Sequence, residues 1–156
     1  PKGLESLKVI DKNRILWVNL TGSGNESAAH TQENPRMTLM FTSFDKKPLI
    51  LRVYGEVKTI HRLDKDWDIL SSYFPPSDAS RQIFDLSISL VQTSCGYAVP
   101  FYDFKGERDI LKKFNEKAGK KGIQKYFLNF QYIINYRFTN RLNKLVTKQF
   151  SRHQLK

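Results

Sequence analysis

The segment 21–27, which reads Thr-Gly-Ser-Gly-Asn-Glu-Ser, contains residue types that could bind a phosphate group. Gly22 and Gly24 follow an apolar run and precede a short helical pattern, as the glycines of a dinucleotide-binding turn do. Ser27, however, stands where that fingerprint has its third glycine, and hairpins rather than parallel strands follow. A helix-capping turn therefore explains the two glycines better than a dinucleotide site.

A simpler phosphate site remains open at the same turn. The backbone N–H groups of Ser23 to Glu26, the Asn25 amide and the Ser27 hydroxyl can together hold a phosphate at a helix N-terminus. The carboxylate of Glu26 opposes an anion if it points the same way.

A second polar segment surrounds the single cysteine, Cys95, at the end of an apolar strand pattern. No histidine is close in sequence to activate its thiol, so a structural cysteine is favoured over a nucleophile. Thr93, Ser94 and Gly96 instead indicate a polar surface for a ligand, because glycine lets a ring or another backbone approach closely.

No metal site is predicted. The three histidines and the one cysteine do not have the spacing of zinc ligands. Asp64, Asp66 and Asp68 lack the glycine and the distal glutamate of a calcium loop, and the acidic first turn of a helix explains them better.

Positive charge is concentrated at the C-terminal end. Residues 1–100 contain 12 Lys and Arg against 11 Asp and Glu, whereas residues 101–156 contain 14 against 4. Two interpretations of this tail stay open: an amphipathic helix whose basic face is simply solvated, or a surface for nucleic acid or an anionic membrane. The basic and aromatic residues concerned are Arg137, Arg141, Lys144, Lys148, Arg152, Tyr132, Tyr136 and Phe138.

The overall composition is that of an ordinary globular chain. Its 156 residues suffice for one domain with a core, and 40% of them are hydrophobic. No apolar run approaches the roughly 20 residues of a membrane-spanning helix. A single cysteine favours a reducing compartment, so we expect a cytoplasmic location, with the nucleus as a further one. The start at Pro1, without Met or a secretory pattern, is typical of a cut polypeptide.

The hydrophobic pattern predicts strands first and helices afterwards. Two apolar pieces around a turn at 11–13 come first, and the second piece, 14–20, has the pattern of a strand buried on both faces. A short helix is expected over 24–33, because Ser23 and Glu26 have capping-box spacing. Period-two alternation then predicts a hairpin from 37 to 58.

A short helix is expected from Asp64 to Tyr73, and a strand with clean alternation from Phe84 to Leu90. Helices over 107–118 and 123–150 follow, separated at Gly119 to Gly122. The fold class is therefore mainly β with added α: a split β-barrel or sandwich of antiparallel strands with short inserted helices and C-terminal helices, rather than a βαβ sheet.

Several segments resemble one known family. They are 19–30 (NLTGSGNESAAH), 34–41 (NPRMTLMF), 1–3 (PKG), 49–55 (LILRVYG), 91–97 (VQTSCGY) and 106–109 (GERD). Taken in their order along the chain, these segments are similar to the pyridoxamine 5'-phosphate oxidase-like, FMN-binding split-barrel proteins. Segments 1–3, 49–55, 91–97 and 106–109 fit one particular branch of that family. The resemblance covers residues 1–125, which we assign to the split-barrel domain, and leaves 126–156 as a basic C-terminal helical extension.

The resemblance implies a six-stranded split barrel that forms a homodimer, with FMN in two clefts between the subunits. Members usually have an N-terminal helix and at least one strand before the Pro-Lys-Gly point, so the barrel formed by these 156 residues is expected to be incomplete.

The same resemblance implies a set of cofactor-binding positions. Lys2 falls where the oxidase has a lysine near the flavin phosphate, and Trp17 and Val18 match the strand that lines the isoalloxazine. Ser94 takes the place of a tryptophan that packs by the flavin from the partner subunit. The full predicted set is Lys2, Trp17, Val18, Ser23, Asn25, Ser27, Ser94, Cys95 and Gly96.

The phosphate clamp of the family is altered. Asn25, Glu26 and Ser27 match its Ser-Arg-Lys in position but not in charge, and loss of both cations is expected to weaken phosphate binding. The substrate-binding Tyr, Arg and Ser of the oxidase have no convincing match.

We therefore expect an FMN-binding protein of the oxidoreductase type that lacks authentic pyridoxamine phosphate oxidase activity. The alternatives are a non-catalytic barrel for pyridoxal phosphate, haem or deazaflavin, or a scaffold whose basic tail contacts nucleic acid or membrane.

Overall fold

The computed structural model describes residues 4–22 and 25–138, with side chains described for 5–22 and 25–128. A short 3-10 helix at Leu4–Ser6 comes first. The strands are β1 (Leu7–Asp11), β2 (Arg14–Asn19), β3 (Arg36–Thr42), β4 (Ile50–His61) and β5 (Gln82–Ser94). The helices are α1 (Asn25–Glu33), α2 (Trp67–Ser71) and α3 (Ile110–Phe138).

The five strands form one antiparallel sheet in the order β1-β2-β5-β4-β3. The long central strand β5 pairs with β2 through its first half and with β4 along almost its whole length. The predicted β-rich fold class with added helices is confirmed. The resemblance implies six strands, and the described residues supply five.

Both faces of the sheet carry apolar side chains. One face packs around the stacked rings of Trp17 and Phe84, whose centroids are 4.8 Å apart, and α1 covers it with Ala28. The opposite face packs around Leu16 and Ile83, and α2 covers it with Leu70. Strand β2 is therefore buried on both sides, as its unbroken apolar run predicts.

The contact between β4 and β5 is irregular at Gly55, where the pairing register shifts. A Cβ at this position would lie 2.0 Å from the Ser87 carbonyl oxygen. Only glycine fits here, because the two backbones approach too closely for any side chain.

Helix α3 consists of two helices that meet at Gly119, whose φ of 60° and ψ of 178° interrupt the helical backbone. The predicted break at this glycine is confirmed. Helix α2 is shorter than the predicted 64–73, because the segment before Trp67 forms turns.

Two expectations for the C-terminal region stay predictions. The proposed boundary between 125 and 126 falls inside α3, and the basic residues from Arg141 onward lie outside the described residues. Among the described helices, none has the length and hydropathy needed to cross a membrane.

Candidate functional site at the start of α1

Buried polar side chains of the described chain are confined to two short segments. The first segment, 19–25, contains Asn19, Thr21 and Asn25, and the second, 80–82, contains Ser80, Arg81 and Gln82. These segments meet where β2 ends, α1 begins and β5 begins. We refer to these six residues as the buried polar cluster.

Strand pairing explains why the amides of the cluster meet. Asn19 and Gln82 form the last pair between β2 and β5, on the same face as Trp17 and Phe84. Asn19 Nδ2 donates to Gln82 Oε1 at 2.9 Å, and Gln82 Nε2 donates to Asn25 Oδ1 at 3.4 Å. This relay connects the sheet to the first residue of α1.

Arg81 carries the positive charge of the cluster. Its backbone N–H donates to the Asn19 carbonyl at 2.8 Å, and its Nη2 donates to the Gly22 carbonyl at 3.1 Å. The side chain is 5% exposed, and Nε and Nη1 have no hydrogen-bond partner among the described residues. Burial lowers the pKa of the Arg81 guanidinium well below its ordinary value, to about 10.

Helix α3 covers this arginine. The guanidinium carbon lies 5.9 Å from the centre of the Phe127 ring, and Ile123 and Phe127 pack together with Ala79. Thr21 Oγ1 donates to Asn115 Oδ1 at 2.9 Å, which joins α3 to the segment before α1. The cluster is therefore enclosed by the sheet, α1 and α3.

The predicted phosphate-binding residues are only partly described. Asn25 is buried in the cluster, whereas Glu26 and Ser27 are exposed on the first turn of α1. Lys2 and Ser23 lie outside the described residues. Their roles stay predictions.

The two predicted ring-lining residues point to opposite faces of the sheet. Trp17 is buried against Phe84, and Val18 is buried on the α2 side, where it also lines a groove of ≈ 580 Å³. Each is 7% exposed. Val18 is thus the one of the pair that borders an open space.

The predicted residues Ser94, Cys95 and Gly96 lie at the far end of β5. Strand β5 has 13 residues, so its two ends, Gln82 and Ser94, lie roughly 40 Å apart along the strand. Ser94 Oγ accepts a hydrogen bond from Arg52 Nη1 at 3.1 Å, and Cys95 is exposed. One chain therefore does not bring these residues to the buried polar cluster.

Packing within the chain explains why a glycine stands at position 96. A Cβ there would lie 2.9 Å from the Leu49 backbone nitrogen, so the close approach predicted for a ligand is made here by the chain itself. Whether a ligand also contacts this surface stays a prediction.

A larger groove of ≈ 790 Å³ lies beside the irregular pairing at Gly55. It is lined by His30, Asn34, Arg36, Met37, Thr38, Tyr54, Gly55, Glu56, Ser87, Ile88 and Ser89. None of the residues predicted from the sequence lines it. Within the described residues, no three His, Cys, Asp or Glu side chains come together as metal ligands.

Sequence reasoning missed five members of the cluster: Asn19, Thr21, Ser80, Arg81 and Gln82. For two of them a signal existed, because Asn19 and Gln82 share the period-two phase of Trp17 and Phe84 and therefore place amides on a core face. Arg81 precedes the alternating strand and gives no such signal.

The chain is similar to a curated protein whose family is known. It is 36% identical over 107 residues to the pyridoxamine 5'-phosphate oxidase family protein ustO of Aspergillus flavus, a match that covers 66% of this chain and 43% of that protein. No family model matches the chain. The match supports the family resemblance predicted from the sequence motifs, since the matched part of the chain is similar to a protein of the pyridoxamine 5'-phosphate oxidase family.

Proposed function

We propose that this chain is an FMN-binding protein of the oxidoreductase type. The observation that carries the proposal is the buried polar cluster at the start of α1, in a chain similar to a member of this family. The cluster contains a buried cation, Arg81, whose Nε and Nη1 have no hydrogen-bond partner among the described residues. Since the chain covers 43% of its relative, the activity of a complete protein is part of the proposal.

The residues present fit the phosphate end of such a cofactor. An arginine whose Nε and Nη1 have no partner among the described residues, beside a helix N-terminus, attracts a phosphate. Asn25 at the first position of α1 and Ser27 on its first turn add an amide and a hydroxyl. The resemblance implies Trp17 and Val18 as ring-lining residues. Because the two point to opposite faces of the sheet, only Trp17 shares a face with the amides of the cluster, and it is the one proposed to lie nearer the ring system.

The cofactor would supply hydride transfer, while the protein contributes its position and electrostatic surroundings. The residues of this chain then have three tasks: to hold the phosphate, to exclude water from the buried end, and to present one face of the ring to a substrate.

We propose a homodimer as the working form. Ser94 and Cys95 lie roughly 40 Å from the cluster along β5, so a second copy is needed to bring both groups of predicted residues to one ligand. Leu90 and Val91, in the same half of β5, are 57% and 52% exposed, so this half of the strand exposes one apolar side chain on each face of the sheet to such an interface.

A second candidate function has one specific observation in its favour. The described part of α3 exposes six lysines, which are Lys112, Lys113, Lys117, Lys120, Lys121 and Lys125. A lysine-rich segment of this kind binds polyanions such as nucleic acid or an anionic membrane, with an affinity that falls steeply with salt.

Absorption spectra separate these candidates. The protein purified in the presence of excess FMN and then desalted is expected to keep a flavin spectrum, with quenched fluorescence. A colourless protein that binds a generic duplex with strong salt dependence would favour the polyanion function instead. Bound pyridoxal phosphate, haem or deazaflavin would each be recognised by its own spectrum.

A further inference from the structure

Few side chains hold helix α3 on the protein. In its second part, Ile123 and Phe127 pack together with Ala79. In its first part, Asn115 accepts a hydrogen bond from Thr21 at 2.9 Å. These contacts begin at Asn115, so they do not involve the first turn of the helix.

The start of α3 carries an exposed apolar stripe, formed by Ile110, Leu111 and Phe114. These side chains are 66%, 43% and 48% exposed. Phe114 follows Ile110 by four residues and Leu111 by three, so the three side chains share one side of the helix. The Phe114 ring also contacts the Tyr126 ring edge-on, with centroids 6.0 Å apart. Since an amphipathic helix ordinarily buries such a stripe, its exposure calls for a partner.

The segment before α3 adds exposed aromatic side chains, Phe101, Tyr102 and Phe104. The backbone N–H of Tyr102 donates to the carbonyl of Phe44 at 3.2 Å, and the two rings meet edge-on with centroids 5.3 Å apart. These contacts hold the segment against the turn that follows β3. Six large apolar side chains are thus exposed within residues 101–114, which is the pattern of an interaction surface.

Lysines accompany these apolar side chains. Residues 110–128 contain six lysines and one glutamate, and all six lysines are exposed. A helix that combines exposed apolar residues with many lysines is typical of segments that lie in the interface of a membrane. The apolar groups then reach the boundary of the acyl chains, while the ammonium groups contact anionic headgroups.

We propose that residues 101–125 bind the surface of an anionic lipid bilayer. The aromatic segment and the apolar stripe insert at the level of the headgroups, and the lysines of α3 supply the electrostatic attraction. The proposal rests on the polyanion-binding function named above and selects its partner. A nucleic acid is disfavoured, because the aliphatic side chains of Ile110 and Leu111 can neither stack on bases nor pair with phosphates. A second copy of the chain is expected elsewhere, at Leu90 and Val91.

Co-sedimentation of the full chain with large unilamellar vesicles tests the proposal. One set of vesicles contains phosphatidylcholine alone, and the other contains phosphatidylcholine and phosphatidylserine at about 2:1. We expect wild type to bind the mixed vesicles at least about tenfold more tightly, since each lysine near an anionic surface contributes roughly fivefold in affinity. Equal binding to the two sets, or binding to neither, would overturn the proposal.

The apolar contribution is tested by the double variant Phe101→Ser/Phe104→Ser. We expect its affinity for the mixed vesicles to fall by at least about tenfold, because two aromatic side chains no longer leave water. Leu63→Ser/Ile69→Ser removes two exposed apolar side chains outside the proposed surface and is the matched control, which should bind as wild type does. Equal affinities of the two double variants would contradict insertion of the aromatic segment.

The charge contribution is tested by Lys112→Gln/Lys117→Gln. This double variant should lose at least about tenfold in affinity for the mixed vesicles and change little toward phosphatidylcholine alone. Lys12→Gln/Lys65→Gln removes the same charge from exposed positions elsewhere and is expected to bind more tightly than Lys112→Gln/Lys117→Gln. Equal losses in both double variants would assign the attraction to net charge and overturn the surface.

Further arms separate the other partners. If wild type binds a generic duplex in the same buffer but no vesicles, the polyanion function stands and the membrane proposal fails, whereas binding to neither overturns both. If Phe101→Ser/Phe104→Ser abolishes a dimer seen by light scattering and binds vesicles as wild type does, the aromatic segment belongs to a subunit interface. If a variant does not fold, hydrogen exchange of wild type decides: mixed vesicles must slow exchange at residues 110–118, and unchanged exchange there overturns the proposal.

Discussion

Arg81 Nη2 and the carbonyl oxygen of Gly22 lie 3.1 Å apart, although 59 residues separate them in the chain. This hydrogen bond joins the start of β5 to the segment that precedes α1. It places the buried charge of Arg81 at the end of the sheet where the two strands and the helix meet. The buried charge thus lies beside the turn at which we propose that a cofactor phosphate binds.

The hydrogen-bonded amides of Asn19, Gln82 and Asn25 give a first prediction. Asn19→Ala removes the donor to Gln82 Oε1 and leaves a buried acceptor without its partner. We expect the free energy of unfolding in urea to fall by about 1–3 kcal/mol. Asn13→Ala, at an exposed turn position, is the control and should stay within about 0.5 kcal/mol of wild type. Equal effects of the two variants would contradict the assigned role of Asn19.

The close approach at Gly55 gives a second prediction. Gly55→Ala places a methyl group 2.0 Å from the Ser87 carbonyl oxygen, so β4 and β5 must separate locally. We expect a loss of about 1–3 kcal/mol or more in unfolding free energy, measured by denaturant titration. Ser87→Ala keeps the same carbonyl and changes only the side chain, so it should have a much smaller effect. A Gly55→Ala protein as stable as wild type would show that the backbones are less constrained than this pairing requires.

His61 gives a prediction about pH. Burial lowers the pKa of its imidazole below the ordinary value, with the charge of Arg81 acting in the same direction and that of Asp64 opposing it. As the pH falls through about 6.5, the unfolded chain takes up a proton that the folded protein resists, so stability decreases by up to about 1.4 kcal/mol per pH unit. Above that pH both states are neutral at this residue and the effect vanishes.

The measurement is unfolding free energy between pH 7.5 and 5.5 for wild type and His61→Gln. The variant should lose less stability than wild type over this range. His30→Gln, which replaces an exposed histidine of α1, is the control for loss of a histidine. Identical pH dependence in wild type and His61→Gln would show that His61 does not contribute.

The strands were predictable because their physics is local. Alternation placed Phe84, Leu86 and Ile88 on one face of β5, and the unbroken apolar run of β2 indicated burial on both sides. Gly119 interrupts α3 where the sequence predicts a break, since a positive φ suits glycine. Each of these features depends on near neighbours in the chain.

The site was less predictable because tertiary contacts assemble it. Arg81 reaches Gly22 and Phe127 only after β5 and α3 have packed, and nothing in the residues around Arg81 indicates those partners. The turn at 21–27 was found from its glycines and polar residues, but Arg81, the buried cation that contacts it at Gly22, lies far away in sequence. Charge that is absent from a local motif can therefore be supplied by a distant segment.

Calorimetric titration of FMN into the full chain, with the molecular mass measured by light scattering in the same buffer, tests the central claim most directly. The account predicts a dimer that binds one FMN per subunit with a dissociation constant in the micromolar range or below. A folded dimer that gives no heat of binding and does not quench FMN fluorescence would contradict it.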